Sequence, residues 1–521
     1  MAQHGSPGKD HGLGIEVVDE SMRVAEVSID PRRQAAVERA QQRGKSYWVV
    51  AVIALILLAE QTVFSFLLYS PILGKLAVEF HTDQVQWVYT ALLLAGALTV
   101  PLLTKLGDIY GKRRMLMVGA AVTSIGCAVC AVAPTFTVVI IGRVLMAAGT
   151  AFLPLCVSMM REVFPVRTRA IAIALAVNGS GAISVLGPLF AGWLTDVWSP
   201  RAPFVFQLAL CLTAGLLLLV VPDSPARLRA RVDYLGAALL GVGVFGLTLG
   251  LSRAQSGGWD GLTITLVVVG LLALPAWALQ LRLSKDPLIN VGLLRRRATI
   301  TPAIAVAFVT ASTALVNLML TLAWSTPHAL APYGRGLSAM QIAYWTMPAG
   351  VLGTLTGIFV GMTVRSVGYR THVVVGGLAS GLAALFLAFN LEAAPWLMIT
   401  VVGLAGLGSM SAAAGVSLIL TAVPADQRAI ATGVSVSVNS LVGGTLQVLL
   451  FAVLSTSVLM VAGGVAFYTG ASYTKGFIIA AVVAAVGVVA ALLVPHGRRQ
   501  PRPATPVGSD AAAVPGPTMP V

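Results

Sequence analysis

Leu106-Gly107-Asp108-Ile109-Tyr110-Gly111-Lys112-Arg113-Arg114 separates two apolar runs, one ending near residue 104 and the next opening near residue 115. Two glycines permit a tight reversal, and three consecutive basic residues hold such a turn on the cytoplasmic side of a membrane. The flanking runs, of about 20 residues each, are long enough to cross hydrocarbon as helices. The stretch therefore reads as the inner turn of a transmembrane helical hairpin. It has an echo in Arg365-Ser366-Val367-Gly368-Tyr369-Arg370, where Gly368 follows Gly111 by 257 positions. A second pair of similar segments, residues 164–172 and 423–431, places Arg428 259 positions after Arg169. Two matches at nearly one spacing imply a duplicated half, and parallel repeats of this kind bind substrate near the membrane midplane between the halves.

Composition agrees with this reading. Of the 521 residues, 57% are hydrophobic and only 10% charged, with a mean hydropathy of +0.88; a soluble surface needs about a quarter charged residues. The formal charge of +14 is of the kind found in nucleic-acid binders, but 28 of the 34 Lys and Arg fall in alternate loops that would share one side of the membrane. That is the positive-inside pattern, and it puts both termini in the cytoplasm. The expected spans are 47–69, 85–104, 115–133, 136–158, 170–194, 203–221, 234–252, 262–281, 299–323, 340–363, 372–391, 395–420, 429–456 and 476–494. The repeat aligns spans 1 to 6 with spans 9 to 14. The expected organisation is a disordered cytoplasmic tail over 1–46, a six-helix bundle over 47–221, a linker with an inserted two-helix hairpin over 222–298, a second six-helix bundle over 299–494, and a disordered tail over 495–521. Continuous rather than alternating apolar runs argue against a β-barrel. Cys127, Cys130, Cys156 and Cys211 lie inside apolar segments, so they read as packing residues rather than a disulfide or a metal site. No apolar run with a small-residue cleavage site precedes residue 47, and the first span is expected to act as an uncleaved anchor.

The loop Gly107, Asp108, Gly111, Lys112, Arg113 and Arg114 resembles the signature between helices 2 and 3 of the major facilitator superfamily, with Thr104 and Ile109 departing from it. Gln86-Trp87-Val88-Tyr89-Thr90 is similar to the helix-2 opening of that superfamily's fourteen-helix drug:proton antiporters. Arg143-Val144-Leu145-Met146-Ala147-Ala148-Gly149 is similar to their helix-4 motif. Gly181, followed by Gly187-Pro188-Leu189-Phe190-Ala191-Gly192, resembles their helix-5 antiporter motif, which is associated with exporters. The resemblance implies an all-α polytopic membrane protein of two six-helix bundles that works by alternating access. It also implies that the Asp108 turn is a conformational switch, Asp108 facing the start of the thirteenth span near Arg428 and Ala429 when the cytoplasmic side closes.

Glu60 is the carboxylate set deepest within a span. Burial of a charge is expensive, so such a group must be protonated, paired or solvated by a cavity. It is the expected site of proton coupling or substrate contact; the competing reading is a neutral carboxyl that packs. Leu58, Glu60, Thr62 and Ser65 imperfectly match the helix-1 motif of the antiporters. Arg143, the basic residue inside a span, is expected either to meet a carboxyl or substrate, or to serve as a hydrogen-bonding strut. Thr62, Asn178, Asn317, Trp324, Tyr344 and Asn439 are possible cavity residues, with interhelical bonding or an aromatic belt as the alternatives. No nucleotide-binding loop is present, so the expected driver is the proton gradient, without cofactor or metal. Expected partners are a small-molecule substrate, protons and membrane lipids, with no nucleic acid and a monomeric state, in the inner membrane of a bacterium. A facilitator or exporter of an endogenous metabolite, siderophore or lipid, and a non-transporting scaffold, are the other classes the sequence allows.

Overall fold

The computed structural model describes residues 27–82, 84–178, 180–228, 232–284, 297–421, 428–462 and 465–494. Helix dominates because a chain in hydrocarbon must satisfy every backbone amide within its own segment. The first half comprises α2 (Lys45–Ala59), α3 (Gln61–Leu67), α4 (Leu73–Glu79), α5 (Trp87–Tyr110), α6 (Lys112–Ala131), α7 (Phe136–Met146), α8 (Phe152–Val163), α9 (Val166–Asn178), α10 (Ser180–Val197) and α11 (Ala202–Leu218). A hairpin of α12 (Tyr234–Gly257) and α13 (Gly261–Leu283) follows. The second half comprises α14 (Arg297–Ser325), α15 (Ala339–Val367), α16 (Tyr369–Phe389), α17 (Pro395–Ala405), α18 (Ser409–Thr421), α19 (Arg428–Leu454) and α20 (Gly470–Leu492). Among the described residues, eleven helical segments are long and apolar enough to cross a membrane. The expected fifth, sixth and seventh spans coincide with the shorter apolar helices Gly181–Val197, Ala202–Leu218 and Tyr234–Leu247.

The duplication is visible atom by atom. Gly111 and Gly368, at the paired turns, both hold positive φ, 114° and 91°, a region that costs glycine little and other residues much. Arg113 Nη2 donates to the carbonyl of Leu219, just past α11, at 2.6 Å. Its counterpart Arg370 donates to Leu492 and, at 3.3 Å, to Val494, at the end of α20. Each half also breaks its fourth helix with a 3₁₀ segment, Ala147–Ala151 in one and Gly406–Gly408 in the other.

Two helix pairs make most of the contact between the halves, α5 with α19 and α10 with α15. Glycines make the close approach possible. Gly444 packs on Leu94, Gly350 on the backbone of Ser184, and Gly192 on Met340, where an added Cβ would lie 2.8 Å from the Met340 Cα. The α12–α13 hairpin closes on itself through Gly243, Gly246, Gly250 and Gly270, and α12 leans on both α5 and α19.

The expected disorder of residues 1–46 is corrected over 27–41. β1 (Val27–Ile29) pairs antiparallel with β2 (Ala226–Leu228), Val27 opposite Leu228, and α1 (Pro31–Gln41) follows. Asp30 caps α1, accepting from the Arg32 amide at 3.0 Å, and Arg33 forms an ion pair with Asp223. A carboxylate N-cap followed by Pro at the first helical position is what starts a helix here. Residues 1–26 and 495–521 lie outside the described chain. The last helix opens at Gly470 rather than 476, where Thr469 caps it through the Ser472 amide at 3.3 Å. The preceding loop carries a hairpin of β3 (Val458–Ala462) and β4 (Val465–Tyr468).

Candidate functional site

Glu60 sits on the joint between α2 and α3, with φ −78° and ψ −10°. The helical ladder runs through it: its amide donates to Ile56 at 2.9 Å, and its carbonyl accepts from Phe64 at 3.0 Å. The side chain is 3% exposed. Two residues on, Thr62 Oγ1 donates to the Gly149 carbonyl at 3.0 Å, fastening α3 to the 3₁₀ break of the fourth span. A carboxyl group is thus held inside the first bundle where two helical irregularities meet.

Arg143 is fully buried. Its Nε donates to the Val88 carbonyl and its Nη2 to the Ser65 carbonyl, both at 2.7 Å, while the guanidinium lies 4.4 Å from the Tyr69 ring centre. No carboxylate stands within ion-pair distance of it among the described residues. The cation therefore ties α7 to α3 and α5 through carbonyls and a ring, which is the strut reading rather than the substrate reading in this conformation. Around it lies a network that the sequence did not single out. Gln207 Nε2 donates to Ser65 Oγ at 2.7 Å and to the Gln61 carbonyl at 3.4 Å, and Tyr69 donates to Gln207 Oε1 at 2.7 Å. The available signal was Gln207 itself, an amide inside an apolar span.

The Asp108 turn is a charge relay. Lys112, with a side chain 4% exposed, reaches Asp108 at 3.1 Å and Glu162 at 2.7 Å. Glu162 accepts from Ser224 Oγ, and the Arg113 amide donates to Asp223 Oδ1 at 3.0 Å. Gly107 makes room for Leu155, whose Cδ2 would stand 2.6 Å from an added Cβ. Arg114 is exposed. The expected approach of Asp108 to Arg428 falls on a side chain outside the described residues.

Gly181 and Gly192 of the helix-5 motif face the second half. Thr354 Oγ1 donates to the Gly181 carbonyl at 2.8 Å, and Ser184 Oγ lies 3.3 Å from the Gly350 carbonyl. Gly187 lies beside Leu67, and Pro188 is inside α10. From Gly181 and Thr354 to Gly192 and Met340, these contacts occupy the part of α10 and α15 remote from the Asp108 turn. Nearer that turn the same face of α15 is open: a Cβ added at Gly357 or Gly361 would meet nothing within 4 Å. Along this helix pair the described contacts between the halves run from Gly181 to Gly192, while α19 also touches α8 nearer the basic mouth.

The remaining candidates divide. Thr310 Oγ1 donates to Asn439 Oδ1 at 2.6 Å, joining α14 to α19, and Asn317 Nδ2 donates to the Thr313 carbonyl of its own helix at 3.0 Å. Trp324 is fully buried against Trp345, with ring centres 5.1 Å apart, whereas Tyr344 is exposed. The Asn178 side chain lies outside the described residues. At the far mouth a cleft of about 530 Å³ opens between the halves, lined by Pro71, Lys75, Glu79, Leu322, Phe451 and Tyr468 among others.

Comparison with known proteins matches this architecture. Multidrug resistance protein Stp of Mycobacterium tuberculosis is 26% identical over 381 residues, covering 72% of this chain and 68% of that protein. A probable actinorhodin transporter of Streptomyces coelicolor is 28% identical over 341 residues, 62% of this chain and 57% of that one. An uncharacterised transporter, YhcA of Bacillus subtilis, is 24% identical over 307 residues, and the match spans 55% of its length. A crystal structure of the peptide transporter POT in complex with sulfate superposes with a TM-score of 0.62 at 17% identity, covering 90% of this chain and 97% of that one, a likeness of fold. The sequence profile of the Major Facilitator Superfamily matches residues 50–447. With that match over most of its length, and with two bundles joined through glycine-lined helix pairs, the chain belongs to the major facilitator superfamily and is a multi-pass membrane protein.

Proposed function

We propose that this protein is a proton-coupled exporter of small hydrophobic or cationic drug-like compounds, of the fourteen-helix antiporter type, working by alternating access. The observation that carries the reading is Glu60, a carboxyl group inside the first bundle, on the joint of a broken helix. Placed there, it can exchange a proton with whichever mouth is open, and its ionised form attracts a lipophilic cation in a low-dielectric cavity. The relatives named for multidrug resistance and for a probable actinorhodin transporter support export. The basic mouth is read as the cytoplasmic one, with both termini beside it in a bacterial inner membrane. With the basic mouth open substrate enters from the cytoplasm; closing it and opening the far one releases the substrate outward, and a proton returns on Glu60. A small molecule, protons and lipids are then the partners, the protein acts as a monomer, and no cofactor is needed.

Cells expressing the protein should accumulate less ethidium, and an uncoupler should abolish the difference. Dye handling that ignores the proton gradient would refute antiport. A second reading, export of one endogenous product, draws on the relative named a probable actinorhodin transporter. It predicts that actinorhodin outcompetes structurally unrelated dyes in vesicles with an imposed pH gradient.

A further inference from the structure

Asp196 lies one helical turn beyond Gly192, at the far mouth. Its Oδ1 accepts from Lys75 Nζ at 2.6 Å, and its Oδ2 accepts from the backbone N–H of Met340 at 3.0 Å. Lys75 belongs to α4 of the first half, and Met340 lies in the first turn of α15 of the second. One carboxylate is therefore gripped from both halves. The grip on the second half is strong for its size, because amides of a helix's first turn lack intrahelical acceptors and sit at the positive end of the dipole. Ser338 caps the same helix by accepting from the Gln341 amide at 3.3 Å, which leaves the Met340 amide for Asp196. Nearby, Arg201 pairs with Glu79 at 2.6 Å within the first half. Gly192 makes the contact possible, since the α10 backbone reaches Ala339 and Met340 only where no Cβ intervenes.

We infer that Asp196 is a gating residue of the transport cycle, the latch that holds the far mouth shut while the basic mouth is open. Outward opening must separate α10 from the start of α15. The Asp196–Lys75 pair moves as part of the first half, so what breaks is the hold of Asp196 on the start of α15, through the Met340 amide and the Ser338 hydroxyl. Lys75 neutralises and aims the carboxylate; Met340 provides the releasable catch. The inference rests on the alternating-access reading, but not on which solute or ion drives it.

The test uses the full chain in nanodiscs with spin labels at two symmetry-related pairs of exposed positions: Val132 and Asn390 at the far mouth, and Tyr110 and Val367 at the basic one. The four native cysteines are buried and need not be replaced. Asp196→Ala should lengthen the Val132–Asn390 distance and shorten the Tyr110–Val367 distance, raising the outward-open population about fivefold, the lower end of ordinary coupling between sites. Asp196→Asn, which keeps an oxygen for the Met340 amide, should shift it less. Lys75→Met, which spares the latch residue, should shift it in the same direction. Unchanged distributions in Asp196→Ala and Lys75→Met overturn the latch, and so does broadening at both mouths without opposite shifts, which would mark a merely structural role. The measurement needs no transported solute. If proton-coupled export fails its own assay while the two mouths shift oppositely, the gate stands and only the driving ion is wrong.

Discussion

The two inner turns of this duplicated molecule share a backbone and differ in chemistry. Gly111 and Gly368 make the same positive-φ reversal, and Arg113 and Arg370 seal the ends of α11 and α20 in the same way. Only the first turn carries the Asp108–Lys112–Glu162 relay. At the second, His372 bridges the Gly368 carbonyl at 2.7 Å and Thr363 Oγ1 at 2.8 Å. The interiors differ likewise. The first bundle encloses Glu60, Arg143 and Gln207, whereas the second is bonded by hydroxyls, with Ser312, Thr313 and Ser380 within hydrogen-bond reach of one another or of helix carbonyls. Geometry has been kept in both copies, while the buried carboxyl of Glu60 and guanidinium of Arg143 stand in the first. A rocking mechanism needs two similar lever arms, but a proton needs only one place to bind.

That division predicts a ranked set of substitutions. The largest effect belongs to Glu60→Gln, which keeps shape and removes the titrating proton: pH-gradient-driven transport in vesicles should collapse while dye binding persists. Thr313→Val, in the hydroxyl-bonded half, should leave coupling intact. Coupled transport by Glu60→Gln would erase the contrast between the halves.

Next comes Arg143→Ala, which strands the carbonyls of Val88 and Ser65 in a dry interior. Each loses a charge-assisted partner at about 1–3 kcal/mol, so the unfolding midpoint in detergent should drop and insertion yield should fall. Ser380→Ala, the corresponding test in the second half, should cost only about 0.6 kcal/mol, the usual worth of a hydrogen bond between membrane helices. Equal losses from the two would show that charge buys the first bundle no extra rigidity.

Glu162→Gln should act more weakly, because Lys112 keeps Asp108 when Glu162 loses its charge. Turnover should fall several-fold with near-normal folding, and His372→Ala should change turnover less, as its bonds stay within one turn. The smallest expected effect is the equality of Gly111→Ala and Gly368→Ala. Each forces a Cβ into positive φ at roughly 1 kcal/mol, and thermal shifts that differ widely would mean the two turns are not one design.

Much of the scaffold was legible because membranes impose simple rules. Apolar length marked the helices, and the turn around Gly111 and its echo at Gly368 revealed the duplication. Where a charge interrupted the pattern, the reading slipped: Lys475 pushed the expected start of α20 to 476, although Thr469 had the side chain for a cap. Asp30-Pro31 is a helix-start signal that the polar composition of the tail obscured, and Gly463-Gly464 between apolar runs is a hairpin signal hidden beside a long span. The site was legible as residues rather than as contacts. Glu60 and Arg143 stand out by charge in an apolar setting, but Ser65, Tyr69 and Gln207 become a network only when two separate spans converge. Asp196 was hidden for the same reason, since nothing local marks its bond to an amide 144 residues away.

The β1–β2 ribbon has a consequence for how the molecule is made. Val27 cannot meet Leu228 until the intervening chain has left the ribosome and its helices have been threaded into the bilayer. At roughly 5–20 residues per second, that delay is on the order of ten to forty seconds. Throughout it the amino-terminal strand waits without its partner, and it is fastened only when the whole first bundle has been delivered. The ribbon is thus a completion seal. A nascent chain with a misthreaded first half leaves its leading strand undocked and accessible to proteases on that side of the membrane.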